Sequence, residues 1–411
     1  MKKQDEQRLK LAPKLRFKGF TNDWEQCKLL EVTNRVRDND GNMSLPTLTI
    51  SAREGWLDQK DRFSKNIAGN QQKNYTQLKY GQLSYNKGNS KAAPYGVVYM
   101  LNTHKEALVP SVYHSFEMID GVPKFLEYLF SSRKLDRELR KYVSSSARMD
   151  GLLNITYQNF EKVELNLPQK YEQLKVKEFL KKLDLLLTLH NKKLELYQKY
   201  KQSIKNTILQ NKLRLKEDNN PWQSLTIGDI GKTISGTGFP EKEQGGNTGI
   251  PFFKVSDMNI NDNHKVMQKS TNYVTESQVQ QNKWKVIETK NSYIIFAKVG
   301  AAIYLERKRL VFNNFLIDNN LMALEIAENF DSEFIYTLIN NISFSRFARV
   351  GALPSFNSSD IENIRVYIPN KEIQSKYGNL FKKLDQHEVS IDNKVKKLMT
   401  FKAYLLEHLF I

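Results

Sequence analysis

Residues 154–176 read NITYQNFEKVELNLPQKYEQLKV, and residues 355–377 read SFNSSDIENIRVYIPNKEIQSKY. At a constant offset of 201 positions, Phe160 meets Ile361, Val163 meets Ile364, Leu165 meets Val366, Leu167 meets Ile368, Pro168 meets Pro369 and Gln173 meets Gln374. An offset held over so many positions marks a duplication. In each copy apolar residues alternate with period two (Val163, Leu165, Leu167; Ile364, Val366, Ile368), the pattern of a strand with one buried face. The proline ends that pattern. It cannot donate to a ladder and its φ suits helix entry, so Pro168 and Pro369 mark strand-to-helix junctions.

Beyond each proline the apolar spacing turns helical. Steps of four and three from Val176 reach Leu180, Leu183, Leu187, His190, Leu194, Tyr197, Lys201, Ile204 and Ile208. The same steps from Tyr377 reach Phe381, Leu384, Glu388, Ile391, Val395, Leu398, Lys402, Leu405 and Leu409. Both stripes carry Lys-Lys-Leu-Asp in step, at 181–184 and 382–385. Heptads sustained this long predict a coiled-coil seam, and about 40 residues at 1.5 Å each make a helix of roughly 60 Å. His190, Lys201, Glu388 and Lys402 interrupt the seam, where polar residues cost stability but fix register. Two such helices in one chain are expected to pack on each other, antiparallel, sending the attached globular segments to opposite ends.

Outward from the repeat, the globular segments correspond more loosely. Trp24 and Leu29 in WEQCKLLEV match Trp222 and Leu225 in WQSLTIGDI, LTISAREG (48–55) matches FFKVSDMN (252–259), and YGQLSYNKGNS (80–90) matches KNSYIIFAKVG (290–300). The predicted organisation is a globular segment at 1–168, a helix at 169–217, a variant globular segment at 218–369 and a helix at 370–411. The clearest break is Glu-Asp-Asn-Asn-Pro at 217–221. The 411 residues, enough for two or three domains on length alone, thus read as one unit used twice.

Composition narrows the function. Sixty-three Lys and Arg against 45 Asp and Glu give a formal charge of +18, which points to a polyanion partner. One cysteine, Cys27, excludes a disulfide framework and thiolate metal sites, and its apolar setting reads as core. The six histidines never fall at i, i+3 or i, i+4, so a zinc enzyme is not expected. No run of about 18 apolar residues occurs and none follows MKKQDEQRLK, so neither a signal peptide nor a span is expected and the compartment reads as cytoplasmic.

Catalytic motifs are sought without success. Thr-Ile-Gly-Asp-Ile-Gly-Lys-Thr at 226–233 resembles a phosphate loop, but Thr226 replaces its first glycine and helix breakers come after it. Asn-Pro-Trp at 220–222 lacks the second proline of an amino-methyltransferase motif, no nucleophile elbow occurs, and Glu241 with Glu243 sits in a glycine-flanked loop read as surface. Basic residues interleaved with aromatic and amide side chains do occur, in both halves. The candidate DNA contacts are Ser51, Arg53, Lys65, Lys73, Tyr85, Asn86, Lys87, Asn89, Lys91, Tyr95 and Arg148 in the first, and Lys254, Ser256, Asn259, Lys298, Tyr304, Arg307, Arg309, Asn313 and Asn314 in the second. Lys and Arg hold phosphates, while Arg, Asn and Lys can also address base edges. The loops at 144–151 and 349–356, which precede the duplicated strand, are candidates for close approach to DNA or plain connections.

Two unlike globular segments, each closed by the strand-Pro-Gln block and followed by a heptad helix, resemble the specificity subunit of type I restriction–modification enzymes over about Pro13 to Ile411. The resemblance implies an α+β fold: two α/β target recognition domains with small twisted sheets, separated by two long antiparallel coiled-coil helices, with an internal pseudo-twofold repeat. It further implies a non-catalytic, sequence-specific subunit that binds double-stranded DNA and docks two methylation subunits, with restriction subunits in the full complex. No cofactor is expected on this chain; S-adenosylmethionine, ATP and Mg are expected on partner subunits of an adenine-specific methyltransferase and site-specific endonuclease. Two readings compete. A self-contained DNA-processing enzyme would be active alone, and a non-specific basic coiled-coil scaffold would bind any sequence with steep salt dependence.

Overall fold

The computed structural model describes residues 11–63, 69–144, 152–349 and 353–411. The chain divides into two compact units, Met1–Lys192 with Asn393–Ile411, and Lys193–Asp392. The first unit runs β1 (Glu25–Lys28), α1 (Leu29–Val32), β2 (Thr33–Val36), β3 (Leu48–Ser51), β4 (Gly55–Asp58), α2 (Gln59–Phe63), β5 (Thr76–Lys79), β6 (Leu83–Asn86), β7 (Val97–Met100), β8 (Glu106–Val109), β9 (His114–Met118), α3 (Pro123–Ser131), α4 (Asp136–Tyr142), α5 (Tyr157–Phe160), β10 (Glu164–Leu167) and the start of α6 (Lys170–Leu209). The second holds the rest of α6, then β11 (Gln223–Thr226), α7 (Ile227–Ile230), β12 (Thr233–Ser235), β13 (Ile250–Phe253), β14 (Tyr273–Val274), α8 (Glu276–Gln281), β15 (Ser292–Ala297), β16 (Lys308–Val311), β17 (Leu316–Ile317), β18 (Leu321–Ile326), α9 (Ser332–Asn340), α10 (Ser358–Glu362), β19 (Arg365–Ile368) and most of α11 (Lys371–His408).

The duplication extends to topology. β1 pairs antiparallel with β10, and β11 with β19. The main sheets have strand orders β2-β9-β6-β7 and β12-β18-β15-β16, so each places its first, fourth, second and third strands in that order. Backbone bonds set the register: Leu29 N–H donates to Val163 O (3.0 Å) and Ile227 N–H to Ile364 O (2.9 Å). Leu29 therefore corresponds to Ile227. Leu225, its partner by sequence, lies opposite Val366 on β11, as Cys27 lies opposite Leu165 on β1. Cys27 is half-buried against the core, and burial pushes its thiol up to about 11.

Both prolines stand between strand and helix as expected, and the glutamine five residues on is a latch. Gln173 donates from Nε2 to Pro168 O (2.8 Å) and accepts Val122 N–H at Oε1 (3.0 Å). Gln374 donates to Pro369 O (2.8 Å) and accepts Asp331 N–H (3.0 Å). Val122 and Asp331 are the N-caps of α3 and α9, so each latch ties the long helix to the helix covering its own unit's sheet. With both glutamines buried, these bonds are made away from competing water.

Every residue of the two heptad stripes is buried or half-buried. In the first unit Leu183 and Leu405 share one core, and Lys402 pairs with Asp184 at 2.6 Å. In the second, Gln198 donates to Glu388 (2.8 Å), Lys201 pairs with Asp385 (2.9 Å), and Tyr197 Oη donates to Leu384 O (3.1 Å). The residue numbers of these three side-chain pairs each add to 586, and those of Lys201–Glu388 and Lys205–Asp385 to within four of it, which is the signature of antiparallel helices. They also explain the in-step Lys-Lys-Leu-Asp: Asp184 and Asp385 each meet lysine from the opposing helix. The seam's polar residues are thus mostly paired. Burial opposes ionisation of Asp385, but Lys205 and Lys265 overcome this and hold its carboxyl far below the ordinary range. α6 ends at Leu209, ahead of the 217–221 break, where Asn211 turns left-handed (φ 58°).

Candidate nucleic-acid interface

In the first unit the candidate residues gather where β3 and β6 end together. Ser51 pairs with Gly55 across the β3–β4 hairpin, and its Oγ accepts the N–H groups of Arg53 (3.4 Å) and Glu54 (3.3 Å). This hairpin tip is held on β6 and β7: Asn86 Nδ2 donates to Ile50 O (3.1 Å) and Tyr99 Oη to Ala52 O (3.3 Å). Arg53 is exposed at the tip and makes no side-chain bond among the described residues. Lys87 comes directly after β6, then exposed Asn89 and Lys91 in the β6–β7 connection, with Tyr95 half-buried.

Other candidates lie elsewhere. Tyr85 is fully buried, stacked on Phe160 at 4.6 Å with its hydroxyl on Tyr95 O (2.8 Å); it shapes the core under the edge. Asn86 spends its amide on Ile50 O and Gly88 N–H, so it positions the loop. Lys73 is exposed near Thr47, at the far end of β3 from Ser51, since neighbouring Gln72 donates to Thr47 Oγ1 (2.7 Å). Lys65, Arg148 and most of the 144–151 loop lie outside the described residues, as does 350–352 of the second loop.

The second unit builds a related edge with different parts. Lys298 follows β15 as Lys87 follows β6, each after the equivalent strand. Lys298 O accepts Phe356 N–H (3.0 Å) as Lys87 O accepts Leu153 N–H (2.8 Å). Lys254 is brought beside it by the 318–320 turn: Asp318 N–H donates to Phe253 O (3.0 Å) and Lys298 N–H to Asn320 O (2.8 Å). Lys254 Nζ reaches Gln244 (3.0 Å), Ser256 is exposed, and Asn259 accepts from Arg307. Tyr304, 64% exposed, projects from the turn between Lys298 and Arg307. β16 runs from Lys308 opposite Phe296 to Val311 opposite Tyr293. Arg307 is therefore at the Lys298 end, and Asn313 and Asn314 are at the other, where Asn314 accepts from Thr289. Arg309 is half-buried on Asn263 O (2.6 Å), and burial lowers its pKa.

Two polar hubs hold this edge, and both escape the sequence reading. Glu306, in the left-handed region, accepts from buried Lys308 (2.9 Å), Ser343 Oγ (2.7 Å), Phe344 N (3.0 Å) and Ser345 N (2.8 Å). Burial opposes its ionisation, but those donors prevail and hold the carboxyl at about 2. The fully buried Asp257 accepts from Lys254 N, Ser270 and Thr271, while buried Asn263 spans Asp257 O and Lys269 O. A signal for Lys308 existed: on a strand it shares parity with Leu310, which faces the core.

The phosphate-loop look-alike is a capping box. Thr226 caps α7 with Asp229, and Gly231-Lys232 leads into strand β12 rather than a helix. A Cβ on Gly231 would fall 1.6 Å from Glu325 O, so the sheet requires that glycine. Among the described residues no group of three His, Cys, Asp or Glu is placed to hold a metal, and no helix is long and apolar enough to cross a membrane.

A family model described as the type I restriction modification DNA specificity domain matches residues 219–399. The chain is 28% identical to the type I restriction enzyme MjaIX specificity subunit of Methanocaldococcus jannaschii over 302 residues, 69% of this chain and 66% of that relative. Its fold is similar to the S subunit of a type I restriction-modification system from M. genitalium, with TM-score 0.59 and 15% identity over 97% of this chain and 99% of that one. It is also similar to a chain solved in a study of complex assembly and conformational transition of the type I R-M system, with TM-score 0.56 and 13% identity over 94% and 97% of the two chains.

Proposed function

We propose that the chain, which matches the type I restriction modification DNA specificity domain over residues 219–399, is a type I restriction–modification specificity subunit that reads a bipartite site in double-stranded DNA, one half-site per unit. The observation that carries this reading is the repeated strand-end lysine: Lys87 and Lys298 follow equivalent strands, β6 and β15, of the two units' main sheets, amid otherwise unlike side chains. A common scaffold with unlike edges can present two different base sequences to one duplex. Lysine and arginine position the units on phosphates, and amide and guanidinium groups discriminate base edges. The +18 charge favours the same partner.

In this reading the two long helices set the spacer between half-sites. α6 exposes Leu185, Leu186 and Leu189 in the first unit and Leu196 and Tyr200 in the second, and α11 exposes Met399 and Tyr404 in the first and Val389 in the second, apolar side chains suited to docking methylation subunits. Restriction subunits would join that assembly. The chain itself carries no chemistry: S-adenosylmethionine, ATP and Mg would be bound by the partners, and the complex would methylate adenine and cleave DNA. Mapping methylated adenines in cells with and without the chain tests this. One split motif should vanish with the chain, and replacing residues 14–168 by another member's segment should change one half only. Methyl transfer by the purified chain alone, or an unchanged motif, would overturn it.

A further inference from the structure

At the other end of the first unit's sheet lies a groove of about 330 Å³. β6 and β7 pair Asn86 with Val97 at the Lys87 end and Leu83 with Met100 at the opposite one. Met100 and nearby Tyr80 line the groove with Val122, Pro123 and Leu174. Tyr80 is 65% exposed and Leu174 36%, so this apolar floor is open to solvent. Lys124, Lys170, Lys177 and Lys181 rim it, the last three sharing one face of α6 with Leu174. Glu127 engages Lys124 and Asp120 engages Lys170. Lys177 and Lys181 have no carboxylate partner among the described residues.

The duplicated position in the second unit is closed. The offset of 201 places Ser375 and Gly378 where the first unit has Leu174 and Lys177, and the shared N-cap position places Asp331 where it has Val122. The Asp331 carboxylate accepts from Ser375 Oγ (3.1 Å) and Phe334 N (2.9 Å). It lies so near α11 that a Cβ on Gly378 would come within 2.2 Å of it. Polar groups thus join α9 to α11 where α3 and α6 leave an apolar hollow with a basic rim.

We propose that this groove docks an acidic segment of a partner protein through a leucine or aromatic anchor, once per chain. The anchor fills the hollow over Met100, Val122, Pro123 and Leu174, and flanking carboxylates meet Lys177 and Lys181. The volume is at the small end of ligand pockets, which span roughly 300 to 1,000 Å³, so it admits a side chain or two rather than a whole element. Apolar burial supplies affinity, and the unpaired lysines select the sign of the partner's charge. Because the groove is at the end of the sheet away from Lys87, occupancy leaves that edge free. Because Asp331 and Ser375 fill the equivalent position of the second unit, the groove takes one partner where a repeated surface would take two. The inference stands whether or not the chain reads DNA as proposed.

Three labelled peptides of equal length, titrated into the full chain, test it: alternating glutamate and leucine, the same with lysine for glutamate, and the same with serine for leucine. The glutamate-leucine peptide should bind one per chain, and the other two about tenfold more weakly. Lys177→Glu with Lys181→Glu, and separately Leu174→Asp, should each weaken it about tenfold while circular dichroism stays unchanged. Equal binding of the lysine or serine peptide, two sites per chain, no binding of the first peptide, or unchanged affinity in folded variants would overturn the proposal.

Discussion

Trp24 and Trp222 occupy matching places ahead of β1 and β11, yet their indole N–H groups differ. Trp222 donates to Asp218 (3.0 Å), a buried carboxylate that also accepts from Tyr377 (2.9 Å) and Arg214 (3.0 Å). The Trp24 N–H is buried with no partner among the described residues. Replacing each by phenylalanine removes similar volume but only one hydrogen bond. Trp222→Phe should therefore cost about 1 to 2 kcal/mol more than Trp24→Phe in urea unfolding, and equal losses would refute the distinction. His114 provides a pH test. Burial, with help from Lys87 and Arg35 and against its bond to Ile155 O, lowers its pKa to about 4 from 6.5. Between those values only the unfolded chain takes up the proton, so stability is full above pH 6.5 and falls as pH drops toward 4. Between pH 7.5 and 5 the loss should be about 2 kcal/mol, and His114→Gln should flatten it. An unchanged slope in the variant would rule the histidine out.

Elements with local periodicity were the legible ones. Strand, proline and heptad are written within about 25 residues of each other, and the structure places all three as read. What each latch glutamine binds was not legible, because Val122 and Asp331 are about 40 to 50 residues away and nothing local names them. The seam lysines were visible but not their partners, which depend on antiparallel register. At the candidate interface, charge in loops pointed to the strand ends near Lys87 and Lys298. Side-chain direction was legible only through parity: Tyr85 shares a face with Leu83, and both are core. Gln173→Ala and Gln374→Ala should each strand a buried amide and carbonyl, and lower the stability of their own unit by about 2 to 4 kcal/mol. Denaturant melts with probes in each unit would check this, and loss in the wrong unit would contradict the latch.

At the scale of the whole molecule, the pairing of Asp184 with Lys402 and of Lys201 with Asp385 constrains how the proposed ruler can be altered. A heptad added to α6 alone would displace one set of pairs. Matched heptads in α6 and α11 would preserve both, and seven residues add about 10 Å, about three base pairs of duplex. Methylation mapping should then show a spacer longer by that amount, and an unchanged spacer would refute the ruler. The first unit's core also has a history in time. It is completed by Leu405, Leu409 and Phe410, with Phe410 packing on Trp24 and Phe125, whereas Lys193–Asp392 is one continuous stretch. On the ribosome the second unit therefore has all its residues before the first does, reversing the ordinary N-terminal order of folding during synthesis. At about 5 to 20 residues per second, the 285 residues from Phe125 to Phe410 leave Phe125, and Trp24 for longer still, without that partner for roughly 15 to 60 seconds, a window in which the first unit's apolar core is open.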